Sequence, residues 1–82
     1  MALQVQLVSP ERMLYAGEAS MVIARTTEGE IGVLTDHAPL LAALAPGRLR
    51  IVKEDGREEV AAVHSGFVEV HDNQVIILAD AV

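Results

Sequence analysis

The sequence predicts an all-β protein, a small antiparallel β-sandwich. Several segments alternate apolar and polar residues, as expected where successive side chains point to opposite faces of a strand. Turn-forming residues interrupt these segments at intervals of roughly 8 to 12 residues, which is typical of sandwiches built from short strands. No long segment repeats its apolar residues at the helical period of about 3.6 residues.

Size and composition limit what such a protein can do. The 82 residues form one predicted domain, residues 1–82, and 51% of them are hydrophobic. Tyr15 and Phe67 are the only aromatic residues, so the predicted core is aliphatic. There is no Cys, which excludes disulfides and thiolate metal sites.

The charge balance restricts the partners. Twelve acidic and six basic residues give a net charge of −6, which argues against nucleic acid and anionic membrane surfaces and favours a basic or neutral partner. No apolar run reaches the roughly 20 residues needed to cross a bilayer. Any work at a membrane would therefore be peripheral, without direct insertion.

The first half of the chain predicts two strands. Residues 3–7 alternate Leu or Val with Gln, which indicates a half-buried strand that ends at Ser9-Pro10, because proline lacks a backbone donor. Residues 21–26 are apolar at both odd and even positions near their centre, which is typical of a central strand. Glu28-Gly29-Glu30 then supplies a turn.

The second half predicts two hairpins. Strands at residues 49–52 and 60–63 flank Asp55-Gly56, a pair that favours the positive φ of a tight turn. Strands at residues 67–70 and 75–78 are joined by a short run of turn-forming polar residues.

The segment from Asp36 to Leu44 could form a short helix or an extended turn. Asp36 could cap a helix, but Pro39 restricts the residue before it and Pro46-Gly47 stops any long helix. We expect an extended turn that enters a short strand.

Three histidines are candidates for a metal or acid–base site. His37, His64 and His71 could join Asp36 and Asp72 only if separate turns converged. None of the histidines has the i, i+4 spacing that places two ligands on one helix face. We expect them to be solvated polar residues of loops.

Other chemical motifs are incomplete. Ser65 follows His64 but lacks the Gly-x-Ser-x-Gly context of a hydrolase nucleophile. Gly29 and Gly32 are followed by neither the lysine nor the helix of a phosphate-binding loop. Lys53 is the only lysine, and it lies at a strand end instead of the hairpin tip where a lipoyl or biotinyl carrier domain presents its modified lysine. The residues therefore favour an interaction module over an enzyme.

A long segment resembles a known family. Residues Thr27 to Ile51, TEGEIGVLTDHAPLLAALAPGRLRI, are similar to the signature of ε subunits of F-type ATP synthases, in which an acidic Gly turn leads through His-Ala-Pro-Leu-Leu to a Pro-Gly turn. Residues 7–12, 65–70 and 75–80 agree in order and spacing, so the resemblance covers essentially the whole chain.

The resemblance implies a β-sandwich of two five-stranded antiparallel sheets in a non-catalytic rotor subunit without a cofactor. Such a subunit links the γ subunit to the membrane c-ring and couples proton flow to ATP synthesis. It implies a peripheral membrane protein on the cytoplasmic face of a bacterial plasma membrane. A small carrier or protein-binding sandwich unrelated to ATP synthase is the alternative.

The chain departs from the family pattern in two places. Many members have Pro-Gly where this chain has Thr35-Asp36, which puts the geometry of that turn in question. The usual ε chain also continues past the final Ala-Asp into a helical hairpin, and we expect that domain to be absent here.

Matching motifs also imply contact residues. The acidic turn, Glu28, Gly29 and Glu30, would meet the polar loops of the c-ring. The alternative is that these charged residues only solvate a hairpin tip. The implied γ contacts are Ser9, Pro10, His37, Ala38 and Leu40. His37 has a second interpretation, in which its ring bonds a nearby carbonyl and only stabilises the turn. Residues assigned to turns and core without a contact role are Gly32, Pro39, Leu41, Gly47 and Phe67.

Overall fold

The computed structural model describes residues 2–81. These residues form eight strands and no helix, so no helix among them could cross a membrane. The strands are β1 (Leu3–Val8), β2 (Met13–Ala19), β3 (Met21–Thr26), β4 (Gly29–Leu34), β5 (Leu40–Leu44), β6 (Gly47–Val52), β7 (Glu58–His71) and β8 (Gln74–Ala81).

The strands form a sandwich whose two layers share β7. One layer has the order β2-β1-β8-β7-β5, through residues 66–71 of β7. The other has the order β4-β3-β6-β7, through residues 58–63 of β7. The all-β sandwich is confirmed. Hydrogen bonds connect all eight strands, because one path runs β2-β1-β8-β7-β5-β3-β4 and β6 pairs with both β3 and β7. The layers are therefore continuous instead of two separate five-stranded sheets.

The expectation of an entirely antiparallel fold is wrong for one strand pair. β1 and β8 are parallel, with Val5 opposite Val75 and Leu7 opposite Ile77. A tight hairpin forces its two strands to be antiparallel, but parallel strands need a long crossover. Here almost the whole chain lies between β1 and β8, so their direction is not restricted in this way.

Both predicted hairpins are confirmed. The β6–β7 turn places Gly56 at a φ of 89°, and its Lys53 N–H donates to the Arg57 carbonyl over 2.7 Å. The β7–β8 turn has two residues, Asp72 and Asn73, with φ values of 50° and 62°. Such positive values are typical of a type I′ turn.

β7 is longer than the sequence predicts. The segments expected as two strands form one strand of 14 residues, with an irregular register between Val63 and Ser65. This bulge lets the strand bend from one layer into the other. The extended turn before β5 is confirmed, whereas β2 and β4 are strands that the sequence pattern does not predict.

The core is aliphatic, as expected. Burying each large side chain removes it from water and contributes about 1.5 to 3 kcal/mol. The largest fully buried side chains are Leu3, Leu49, Ile51, Ile77, Val5, Val22, Val33, Val68, Val70 and Val75.

Two residues expected in the core lie outside it. Leu41 is 69% exposed and Phe67 is 56% exposed. Neighbouring residues in a strand point to opposite faces, so the buried Val68 forces Phe67 outward, and Leu40, which packs on the core, does the same to Leu41.

Candidate partner-binding surfaces

A row of apolar side chains crosses the outer face of the layer β2-β1-β8-β7-β5. Strand register aligns its members side by side across five strands. We call this set the apolar row: Met13, Val8, Leu78, Phe67 and Ala43. Met13, Leu78 and Phe67 are 52%, 54% and 56% exposed, so the large side chains are only half covered.

The outer face becomes more polar towards the other end of the strands. In the row next to the apolar row, Gln6 pairs with Ile76, Ile76 pairs with Glu69, and Glu69 pairs with Leu41. No Lys or Arg occupies an outward position in these strands. The face therefore combines exposed apolar area with few charges, as surfaces that bind other proteins do.

The Ser9-Pro10 turn lies beside the apolar row. Ser9 is buried, and its hydroxyl donates to the Arg12 carbonyl over 3.0 Å, so the hydroxyl already has a partner within the turn. Pro10 is exposed. A shallow depression of about 440 Å³ separates this turn from Gly66 and Leu78. Of the two expected contacts, Pro10 is the accessible one.

His37 and Ala38 lie at the opposite end of the sandwich from Ser9. Val8, which precedes Ser9, pairs with Leu78 near the end of β8, whereas the β4–β5 loop bonds to Asn73 before β8 begins. The structure thus does not bring the implied γ contacts together.

The exposure of these contacts also differs. Ala38 is exposed, His37 is half-buried, and Leu40 packs partly on the core. The His37 Nδ1 lies 2.7 Å from the Ala38 carbonyl oxygen. This is the hydrogen-bond distance expected if the His37 ring stabilises the turn, which is the second interpretation of this residue.

The acidic turn is exposed and adjoins the apolar row. Glu28, Gly29 and Glu30 follow Thr26, whose hydroxyl donates to the Gly29 carbonyl over 2.6 Å. β4 begins at Gly29, so the turn itself lies one residue earlier than the sequence indicates. The Thr27 N–H donates to the Ala43 carbonyl over 3.0 Å, which joins this turn to the end of the apolar row.

The other outer face is charged. Arg50 donates to both carboxylate oxygens of Glu58, over 2.8 and 3.0 Å. This hydrogen bond lowers the pKa of Glu58 and raises the pKa of Arg50. At the open edge between the two layers, Lys53 Nζ lies 3.1 Å from Glu59 and 5.7 Å from the centroid of the Tyr15 ring. These contacts hold the lysine against the sandwich, unlike a carrier lysine at a free hairpin tip.

The histidines do not converge. His64 lies at the bulge of β7, and His71 Nδ1 is 3.3 Å from Asp72 Oδ2 at the β7–β8 turn. Asp36 bonds to Asn73 instead of a histidine. Across residues 2–81, no three side chains of His, Asp or Glu are grouped so that they could hold a metal ion.

Comparison with known proteins decides the family. The profile described as ATP synthase, Delta/Epsilon chain, beta-sandwich domain matches residues 2–82. A Frankia casuarinae protein named ATP synthase epsilon chain is 50% identical over 80 residues, which cover 98% of this chain and 94% of the relative. This chain belongs to the ATP synthase δ/ε chain family. Family membership removes the alternative of an unrelated module.

Other ATP synthase epsilon chains match over only part of their length. The Dichelobacter nodosus protein is 51% identical over 94% of this chain and 54% of its own. The Corynebacterium glutamicum protein is 56% identical over 93% of this chain and 62% of its own. The chain thus spans about half to two thirds of these relatives.

Solved structures agree with the fold. A chain in the mitochondrial ATP synthase of Euglena gracilis, described as OSCP/F1/c-ring in rotational state 1, has a TM-score of 0.92 and 30% identity, over 99% of this chain and 52% of its own. A chain from the central stalk and c-ring of the Tetrahymena thermophila enzyme has a TM-score of 0.79 over 100% of this chain and 66% of its own. At 24% identity, the second match supports the fold alone.

Sequence reasoning missed most of the apolar row within this ATP synthase sandwich. The sequence did indicate that Phe67 points outward. In an alternating strand it shares a face with Glu69 and His71 and points away from the face of Val68. Met13 had no such signal, since β2 itself was not predicted. The role of Asn73 depends on a contact with Asp36, 37 positions away, which no local pattern indicates.

Proposed function

We propose that this chain is a non-catalytic subunit of the central stalk of an F-type ATP synthase. It links the γ subunit to the c-ring and so helps to couple proton flow to ATP synthesis. The observation that carries the proposal is an exposed apolar row that ends at an acidic turn, on a sandwich of this family.

The apolar row is the γ-facing surface. Its exposed members, with Pro10 at the edge, form a strip that contains no Lys or Arg. A partner that covers the strip therefore buries no positive charge that would need a carboxylate beside it. Covering the exposed part of a side chain such as Phe67 or Leu78 contributes about 1 kcal/mol or more. His37 and Ala38 extend this contact at the far end of the same layer.

The acidic turn is the ring-facing surface. Glu28 and Glu30 are exposed carboxylates that can pair with basic side chains in the polar loops of the c-ring. The chain is peripheral and works on the cytoplasmic face of a bacterial plasma membrane. It has no active site of its own, and its role is to transmit torque, which suits two layers of close-packed strands.

Reconstitution with γ and the c-ring tests this function. The wild-type chain is expected to elute with γ in size exclusion at low and moderate salt, and to bring the ring down with the stalk. Glu28→Lys with Glu30→Lys should reduce ring recovery severalfold at low salt, because it replaces attraction by repulsion, and affect γ binding little.

The control reverses two carboxylates elsewhere. Glu18→Lys with Glu54→Lys makes the same change in net charge, at β2 and at the β6–β7 turn. Thermal midpoints are compared as well, since Glu30 lies opposite Arg25 and its reversal costs some stability. If both double variants recover the ring equally, the acidic turn does not contact it. A folded wild-type chain that ignores γ would refute the proposed function.

A further inference from the structure

The segment that carries His37 has an unusual backbone. Residues 35–39 cross from β4, in one layer, to β5, in the other. Asp36 within it has a φ of 67°, in the left-handed region, which Asp adopts more readily than most residues but less readily than glycine. This is the position at which the family resemblance leads one to expect the glycine of Pro-Gly. Because residues 36–39 belong to no strand, strand register does not set the direction of His37.

A reciprocal pair of hydrogen bonds holds Asp36. Its backbone N–H donates to Asn73 Oδ1 over 2.6 Å, and Asn73 Nδ2 donates to Asp36 Oδ1 over 3.2 Å. Both ends of the Asn73 amide therefore bind the same residue of the loop. We call this pair the clasp.

Asn73 is itself held in place by the strands next to it. It occupies the second position of the β7–β8 turn, and its backbone carbonyl accepts a hydrogen bond from the Gln4 N–H over 2.8 Å. The turn joins two strands that pair along their length, and Gln4 belongs to β1. The clasp thus ties the loop to three strands of the layer that carries the apolar row.

We propose that the Asp36–Asn73 clasp is a positioning device that presents His37 and Ala38 to the γ subunit. His37 directly follows Asp36, and its N–H closes the turn on the Leu34 carbonyl over 3.1 Å. With the clasp closed, the loop is ordered before γ arrives, so docking does not have to order it. The inference rests on the proposed function, and both residues act through their neighbours.

A charge-neutral swap tests the clasp. Asn73→Asp keeps the acceptor for the Asp36 N–H but places a second carboxylate beside that of Asp36. Adding Asp36→Asn to this variant restores a donor–acceptor pair at the original net charge. The amide at position 36 is then the donor, and the carboxylate at position 73 is the acceptor. Asp tolerates a positive φ at position 73, so the turn survives in both variants. Asp36→Asn alone keeps the acceptor oxygen and should behave as the wild type.

Calorimetric titration with γ is the readout. Asn73→Asp should weaken γ binding by about tenfold, because it replaces a hydrogen bond to the Asp36 carboxylate with repulsion between two carboxylates. The double swap should return the affinity to within about twofold of the wild type. The His37 ring signals in NMR spectra of the free chain should shift in Asn73→Asp and return in the swap.

A control separates positioning from stability. Asp55→Ala removes the hydrogen bonds from the Arg57 N–H and Nε, of 3.0 and 2.7 Å, at a turn away from the clasp. It should lower the thermal midpoint at least as much as Asn73→Asp and leave γ binding unchanged. Two outcomes would refute a positioning role for the clasp when the wild type binds γ. In the first, Asn73→Asp binds γ as well as the wild type does. In the second, the double swap does not restore the binding that Asn73→Asp has lost. A wild type that does not bind γ would overturn both this inference and the proposed function.

Discussion

The two outer faces of the sandwich differ in the kinds of side chain that they expose to water. On the layer β2-β1-β8-β7-β5, half-exposed apolar side chains form a row, and no outward position holds Lys or Arg. On the layer β4-β3-β6-β7, Arg25 lies opposite Glu30 and Arg50 binds Glu58. Of the six large exposed hydrophobic residues within residues 2–81, four lie on the first face: Met13, Leu41, Phe67 and Leu78.

The contrast shows that the same fold can leave one face solvated and the other available for a partner. The cross-strand ion pair of Arg50 and Glu58 on the charged face makes any cover that separates the two charges costly, because buried unpaired charges are expensive. The apolar face carries no such cost. Three predictions test this difference, and they run from the largest expected effect to the smallest.

The largest effect concerns two glycines, one in each layer. Gly66, beside Phe67, has a φ of 144°, and a Cβ there would overlap the Leu78 carbonyl oxygen. Gly66→Ala should therefore lower the free energy of unfolding by about 3 kcal/mol or more. Gly32 in β4 has open space around it, so Gly32→Ala should change stability by less than about 1 kcal/mol. Urea unfolding followed by circular dichroism measures both, and similar losses would refute the account of Gly66.

The second prediction compares one exposed apolar residue from each face. Phe67→Glu places a charge in the apolar row, and γ binding should weaken by about 100-fold, as for a central interface residue. Val60→Glu is the matched control, because Val60 is 53% exposed but lies on the charged face, opposite Arg50. It should change γ affinity by less than about threefold. Calorimetric titration distinguishes the two, and equal losses would show that neither face is specific for γ.

The smallest effect concerns pH and the charged face. Hydrogen bonds from Arg50 lower the pKa of Glu58 in the folded chain. The resulting stabilisation is complete above the pKa of the unfolded carboxyl and is lost as the pH falls through the lowered folded pKa. Thermal midpoints should therefore fall with acidification, and the fall should be slightly smaller in Glu58→Gln. The difference is small because the pair is solvent-exposed.

The control for that titration removes the other partner of the pair. Arg50→Gln leaves Glu58 without the donor of its two hydrogen bonds. Its acid slope should match that of Glu58→Gln, because neither variant has the pair. If Arg50→Gln keeps the wild-type slope, the Arg50 pair does not cause the pH dependence.

Local patterns predicted much of the fold. The alternation of residues 3–7 and the Asp55-Gly56 turn involve near neighbours, and the structure contains both elements as predicted. The parallel pairing of β1 with β8 and the sharing of β7 between the layers depend on distant segments. No local pattern could indicate those pairings.

The surfaces depend on distant residues more than the single strands and turns do. The acidic turn is contiguous in sequence, so its residues stay together in the structure. The implied γ contacts come from two turns at opposite ends of the sandwich, and Ser9 is buried. The apolar row takes its members from five strands, so only strand register could reveal it.

Methyl NMR of the chain with and without γ tests most directly whether the apolar face is the γ-facing surface. Leu41 and Leu78 report on that face, while Val60 is an exposed methyl-bearing residue on the charged face. We predict that γ shifts or broadens the Leu41 and Leu78 methyl signals and leaves those of Val60 in place. Changes confined to Val60 would contradict the assignment and place γ on the charged face.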